Sequence, residues 1–124
     1  MKVKNVRLEI QTEDEFISEI KKDMKKIAKG ESIKNRSTLS FESMKVMRSL
    51  ITDQRLKILR AIRKHNPESI YELAKILKRD TKNVSDDIHF LSDLGLIEIK
   101  ESKDGRKKTT PKVNYQKILV EIPV

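Results

Sequence analysis

Cysteine is missing from all 124 positions, and that one absence removes disulfides, thiolate zinc sites and cysteine nucleophiles together. Aromatic residues make up only 4% of the chain, so a core must be assembled from Ile, Leu and Val on amphipathic elements. The three glycines, Gly30, Gly95 and Gly105, lie too far apart to form a phosphate-cradling loop. The two histidines, His65 and His89, have no second ligand at a metal spacing, so neither a metal nor a cofactor is expected. Acidic pairs such as Glu13/Glu15 and Asp86/Asp87 fall in helix caps or on a helix surface, without the partners a nuclease needs. No apolar run approaches the roughly 20 residues that span a bilayer, and the opening Met1-Lys2-Val3-Lys4 has no apolar signal segment. The expectation is a cytoplasmic protein that is not an enzyme and has no membrane partner.

Charge is what the chain has in quantity. Twenty-eight basic and 19 acidic residues leave a net charge of +9. A surplus of that size concentrates polyanions near the protein, and nucleic acid is the commonest such partner. The plainer alternative is that lysine keeps the chain soluble. The length suits one domain with a small elaboration at one end.

Apolar and charged residues alternate from Val6 to Ile10, which predicts a half-buried strand. Thr12 and Glu15 form a capping box that opens a helix to about Lys29. Its acidic first turn, basic last turn and closing Gly30 all suit the helix dipole and its termination. Phe16, Ile17, Ile20, Met24 and Ile27 share one face, expected to be either core or a dimer interface. Residues 31–40 read as a polar linker with a short strand near Leu39. Ser40 is expected to cap a helix through Ile51, and Thr52 a second one with Leu56, Leu59 and Ile62 inward, broken at Asn66-Pro67. Near the C-terminus, Ile118, Val120 and Ile122 can pair with Val6, Leu8 and Ile10, within the chain or across a dimer.

The most informative stretch runs from Ser69 to Val113. Ser69 and Glu72 make another capping box, and Ile70, Leu73, Ala74 and Leu77 give one apolar face. After a break at Arg79-Asp80, a helix capped by Asp80 or Thr81 carries the stripe Val84, Ile88 and Leu91 and stops at Gly95. A strand, the basic turn Lys103-Asp104-Gly105-Arg106 and a returning strand follow. Helix, short turn, helix, strand, basic loop, strand is the order of a winged helix.

The segment SIYELAKILKRDTKNVSDDIHFLSDLGLIEIKE resembles the core of MarR- and ArsR-type winged-helix regulators. The features that carry the likeness are Glu72-Leu73-Ala74, Val84-Ser85 and Leu94-Gly95-Leu96-Ile97, with Ile51 to Ile62 resembling the first helix of such a domain. The likeness covers about residues 41–113. With its N-terminal extension, the chain also resembles a group of short archaeal and bacterial regulators, some of them antitoxin-like. The resemblance implies an α+β winged helix-turn-helix with an N-terminal strand-helix extension, divided as 1–40 and 41–124. It also implies a homodimer that regulates transcription, as a repressor, on double-stranded DNA. The rival implication is a protein-interaction module that binds a toxin, with DNA secondary. A third reading is a non-specific, chromatin-type DNA binder.

A helix rotation of 100° per residue turns Lys82, Asp86, His89 and Asp93 away from the Val84 stripe. Lys82, Asn83, Ser85 and His89 are the expected base readers, since Asn can pair bidentately with adenine and Ser can reach bases or phosphate. Asp86 sits awkwardly beside phosphates. It can accept from cytosine, pair with Arg79 or Lys82, or mark a helix that stays out of DNA. Asp87 is expected to be structural, tied to a neighbouring basic residue. Residues 43–64 hold seven basic and one acidic residue, residues 65–99 four and seven, and residues 100–124 seven and three. The positive field therefore flanks the helix pair rather than lying on it. Phosphate contacts are expected from Lys103, Arg106, Lys107 and Lys108, helped by Arg55, Arg60 or Arg63. Replacing Arg106 and Lys107 together by alanine should then lower the slope of log affinity against log salt by about 1 per lost contact. An unchanged slope in a salt-titrated binding assay would strike the loop from the contact list.

Overall fold

The computed structural model describes residues 5–30, 38–102 and 108–124 of a mixed α+β chain. It divides into two compact units, Met1–Leu50 with Tyr115–Val124, and Ile51–Asn114.

The first unit is a three-stranded parallel sheet. Strand β1 (Val6–Ile10) lies between β2 (Thr38–Phe41) and β5 (Ile118–Glu121). The register sets Leu8 beside Leu39 on one side and Val120 on the other, so apolar residues of all three strands share a face. The pairing of the C-terminal strand with Val6–Ile10 is thus within the chain, and it is what brings the last ten residues into this unit. Val6, Leu8 and Phe41 are buried, together with Met47 of helix α2 (Met44–Leu50) and Tyr115. Ser43 caps α2 by accepting from the Val46 amide at 3.2 Å. The expected cap, Ser40, is instead taken up by β2.

Between β1 and β2 runs α1 (Glu13–Ala28), capped as expected by Thr12, whose side chain accepts from the Glu15 amide. The reading of its apolar face as core does not hold. No residue of α1 is buried, and Phe16, Ile17, Ile20, Met24 and Ile27 are 42–64% exposed. The half-buried edge of α1 is polar instead: Glu19 accepts from Gln11 Nε2 at 2.9 Å, just beyond β1.

The second unit is built from α3 (Asp53–His65), α4 (Ile70–Leu77), α5 (Thr81–Asp93) and the antiparallel pair β3 (Glu98–Glu101) and β4 (Thr109–Lys112). Thr52, Ser69 and Asp80 each accept from the amide three residues on, opening the three helices. Glu72 completes its box one residue early, accepting from the Glu68 amide rather than from Ser69. Helix α5 ends in a Schellman turn: the Leu96 amide donates to the Leu91 carbonyl, with Gly95 at φ 81° between them. Helix α4 ends the same way with Lys78 at φ 54°, at the cost of a non-glycine residue in the left-handed region. Those two turns fix where α5 starts and stops. Leu96 and Ile97 are buried directly after it, and β3 begins at Glu98. Ile58, Ile62, Leu73, Val84, Ile88 and Leu91, all 0–1% exposed, form the core. The expected basic turn at residues 103–106 lies outside the described residues. No helix among the described residues is long and apolar enough to cross a membrane.

Burial pushes the Tyr115 phenol up to about 12 from its ordinary value of 10. Between those two values the unfolded chain loses a proton that the folded one retains, so stability falls as pH rises. The expected loss approaches about 1.4 kcal/mol per pH unit over that window. Tyr115→Phe should abolish this part of the alkaline decline, measured as the difference between the two chains' denaturation midpoints from pH 9 to 12.

Candidate nucleic-acid interface

Helix α5 has two sharply different sides. Val84, Ile88 and Leu91 are completely buried, while Lys82, Asn83, Asp86, His89 and Asp93 are exposed and Ser85 is half-buried. The four expected base readers therefore occur on one open face, with Lys82 and Asn83 in the helix's first turn. They are not equally free. The ring Nδ1 of His89 lies 2.7 Å from the Ser85 carbonyl and 3.3 Å from its Oγ, so these two side chains fold against one another. Lys82 and Asn83 are the more available pair.

Asp87, half-buried at the edge of this face, is structural as expected. Its Oδ1 accepts from Arg55 Nε at 3.3 Å and its Oδ2 from Arg79 Nη2 at 3.0 Å. One carboxylate thus joins α3, the α4–α5 turn and α5. Arg55 is further held over the Phe90 ring, 4.0 Å from its centroid. This changes the expectation for Arg55: its guanidinium is committed inside the unit, which removes it from the free phosphate contacts. Arg79 binds Asp87 and so does not neutralise Asp86, which remains on the exposed face. Arg60 and Arg63 are exposed on α3.

The hairpin is tied to the α3–α4 loop. Thr110 Oγ1 donates to the Glu68 carbonyl at 2.6 Å, and Lys112 Nζ to Asn66 Oδ1 at 3.0 Å. Lys108 lies 3.5 Å from a Glu68 carboxylate, an exposed ion pair of the kind that contributes little and exchanges partners readily. Ser102 and Lys108 close the ladder, the Ser102 amide donating to the Lys108 carbonyl. Lys103, Arg106 and Lys107, the other expected phosphate contacts, lie outside the described residues.

The sequence reading passed over one exposed feature. Tyr71 of α4 is 59% exposed and carries Lys75 Nζ 4.5 Å above its ring. Tyr71 lies one position off the apolar face that begins at Ile70, which was the available signal. Among the described residues no group of three or more acidic or histidine side chains could hold a metal ion.

These features define a mixed α+β protein whose helix α5 presents a polar face to solvent. The chain belongs to the HVO_A0114 family, whose model matches residues 50–120 and so covers the whole second unit together with β5 as far as Val120. Among curated proteins none matches the sequence.

Removing the two-arginine acceptor should loosen the unit. Asp87→Ala is expected to lower unfolding stability by about 2–3 kcal/mol, because two guanidinium groups lose a charged partner. Asp86→Ala, one residue away and exposed, should change it by less than about 0.5 kcal/mol. Urea denaturation of the two variants makes the comparison, and equal effects would contradict the assigned roles.

Proposed function

We propose that this chain is a double-stranded-DNA-binding transcriptional regulator of winged-helix type, in which α5 is the recognition helix and the β3–β4 hairpin the wing. The observation that carries the reading is the two-sided burial of α5. Its apolar stripe is fully enclosed by its own unit, and its opposite side presents Lys82 and Asn83 at the N-terminal end, the end that meets base edges in helices of this type. The likeness of residues 69–101 to MarR- and ArsR-type regulators supports it, as does the excess of basic residues in α3 and at the hairpin. Lys82 and Asn83 read bases, with Ser85 and His89 as a buttressed pair behind them. Arg60, Arg63, Lys108 and the loop residues Lys103, Arg106 and Lys107 hold phosphates, which position the protein without selecting sequence. Occupying an operator needs no further activity, so repression is the simplest output.

Asp86 and Asp93, exposed on the same face, favour one alternative: a basic protein partner of toxin type, with DNA secondary. The two readings separate in one experiment. Duplex DNA from immediately upstream of the protein's own gene is titrated by fluorescence anisotropy, with random duplex as competitor. The DNA reading predicts preference for the upstream duplex, and a loss of about 1–3 kcal/mol of that preference for Lys82→Ala or Asn83→Ala. Asp86→Asn should bind DNA as well as or better than the parent. Equal affinity for random duplex would replace this reading with non-specific binding, and no binding at low salt would leave the protein partner.

A further inference from the structure

The face of α1 has a covering that its own residues describe. Ile17, Ile20, Met24 and Ile27 follow one another at intervals of three, four and three, the alternation of a two-heptad coiled-coil seam, with Phe16 beside it. All five are substantially exposed, and α1 meets its own sheet through a polar edge instead. The ends of the helix are oppositely charged. Glu13, Asp14 and Glu15 occupy the first turn, and Lys25 and Lys26 the last, with Lys29 just beyond. We propose that this chain dimerises through α1, the helix of one protomer lying antiparallel against that of a second copy about a two-fold axis between Ile20 and Met24.

Charge selects both the partner and its direction. A second copy laid parallel sets acid beside acid and lysine beside lysine, whereas an antiparallel copy sets each acidic end beside a basic one and opposes the two helix dipoles. Within α1 five acidic residues nearly balance four basic ones, so two copies meet here without the repulsion that a net charge of +9 otherwise imposes. A two-fold contact uses the same patch on both protomers and closes on itself, which covers the seam without building a fibre. An anionic lipid surface is a poorer occupant, because Glu13 lies on the seam side of the helix and its carboxylate would face it. This inference does not rest on DNA binding.

The test takes the full chain and uses its lack of cysteine. Sedimentation equilibrium should give twice the 14.5 kDa chain mass. Ile20→Glu with Met24→Glu should weaken the dimer by about a hundredfold or more. It should leave the circular dichroism spectrum unchanged, because neither side chain is buried in the protomer. Direction is read with Ile17→Cys and Ile27→Cys, positions about 15 Å apart along the helix. In the antiparallel pair Ile17 of one protomer opposes Ile27 of the other, so a mixture of the two variants should form a mixed disulfide on mild oxidation. Ile17→Cys alone should not, since its two sulfurs stand too far apart. A monomer at several hundred micromolar, a dimer that survives the double glutamate variant, or a disulfide in Ile17→Cys alone would each overturn the proposal. So would a monomer that binds anionic vesicles through α1.

Discussion

The rotation of α5 about its own axis is the constraint from which the rest of the second unit follows. Val84, Ile88 and Leu91 stand at intervals of four and three, and none has any exposed surface. A helix held by three such side chains cannot roll by even one residue, about 100°, without drawing Asn83 or Ser85 toward the core, where an unpaired polar group costs about 1–3 kcal/mol. Asp87 adds a directional tie, because its two carboxylate oxygens are claimed by arginines from α3 and from the α4–α5 turn. The exposed face is therefore set by the interior. Lys82 and Asn83 are presented because Val84 is not.

Charge is unevenly distributed along the chain. The helix pair of residues 65–99 is net acidic, and the cations stand on α3 and at the hairpin. For a DNA reader that division separates two tasks. Phosphate contacts supply affinity that salt weakens, and the helix supplies discrimination between bases. An acidic recognition face lowers non-specific affinity and so leaves a larger share of binding to the bases. On the proposed reading Asp86 would act in that sense, repelling any duplex that offers it no donor.

Much of the second unit was legible in the sequence because its signals are local. Thr52, Ser69 and Asp80 cap the helices they precede, Gly95 takes the positive φ that ends α5, and the stripe Val84, Ile88, Leu91 identifies the buried side by spacing alone. Asp87 could be assigned a structural role from its angle on the helix. Its partners could not be, because Arg55 lies 32 residues away and only tertiary packing brings it over Phe90. The first unit was harder to read. An amphipathic face predicts that something covers it but not what, so Phe16 to Ile27 left core and dimer interface both open, and α1 in fact turns a polar edge to its sheet. The parallel register of β5 on β1 spans more than a hundred residues, and alternation in two short strands identifies each without fixing their direction. Ser43 displaced Ser40 as a cap for a similar reason: pairing with β1 carries the chain extended as far as Phe41.

On the proposed reading the polar side of α5 meets DNA while its apolar side stays in the core. Amide chemical shifts of the ¹⁵N-labelled chain, followed as upstream duplex is added, test it residue by residue. The account predicts the largest changes from Lys82 to His89 and along the hairpin from Lys100 to Lys112, with Ile58 and Leu73 in the core unmoved. Changes gathered elsewhere, with the amides of α5 silent at saturation, would contradict it.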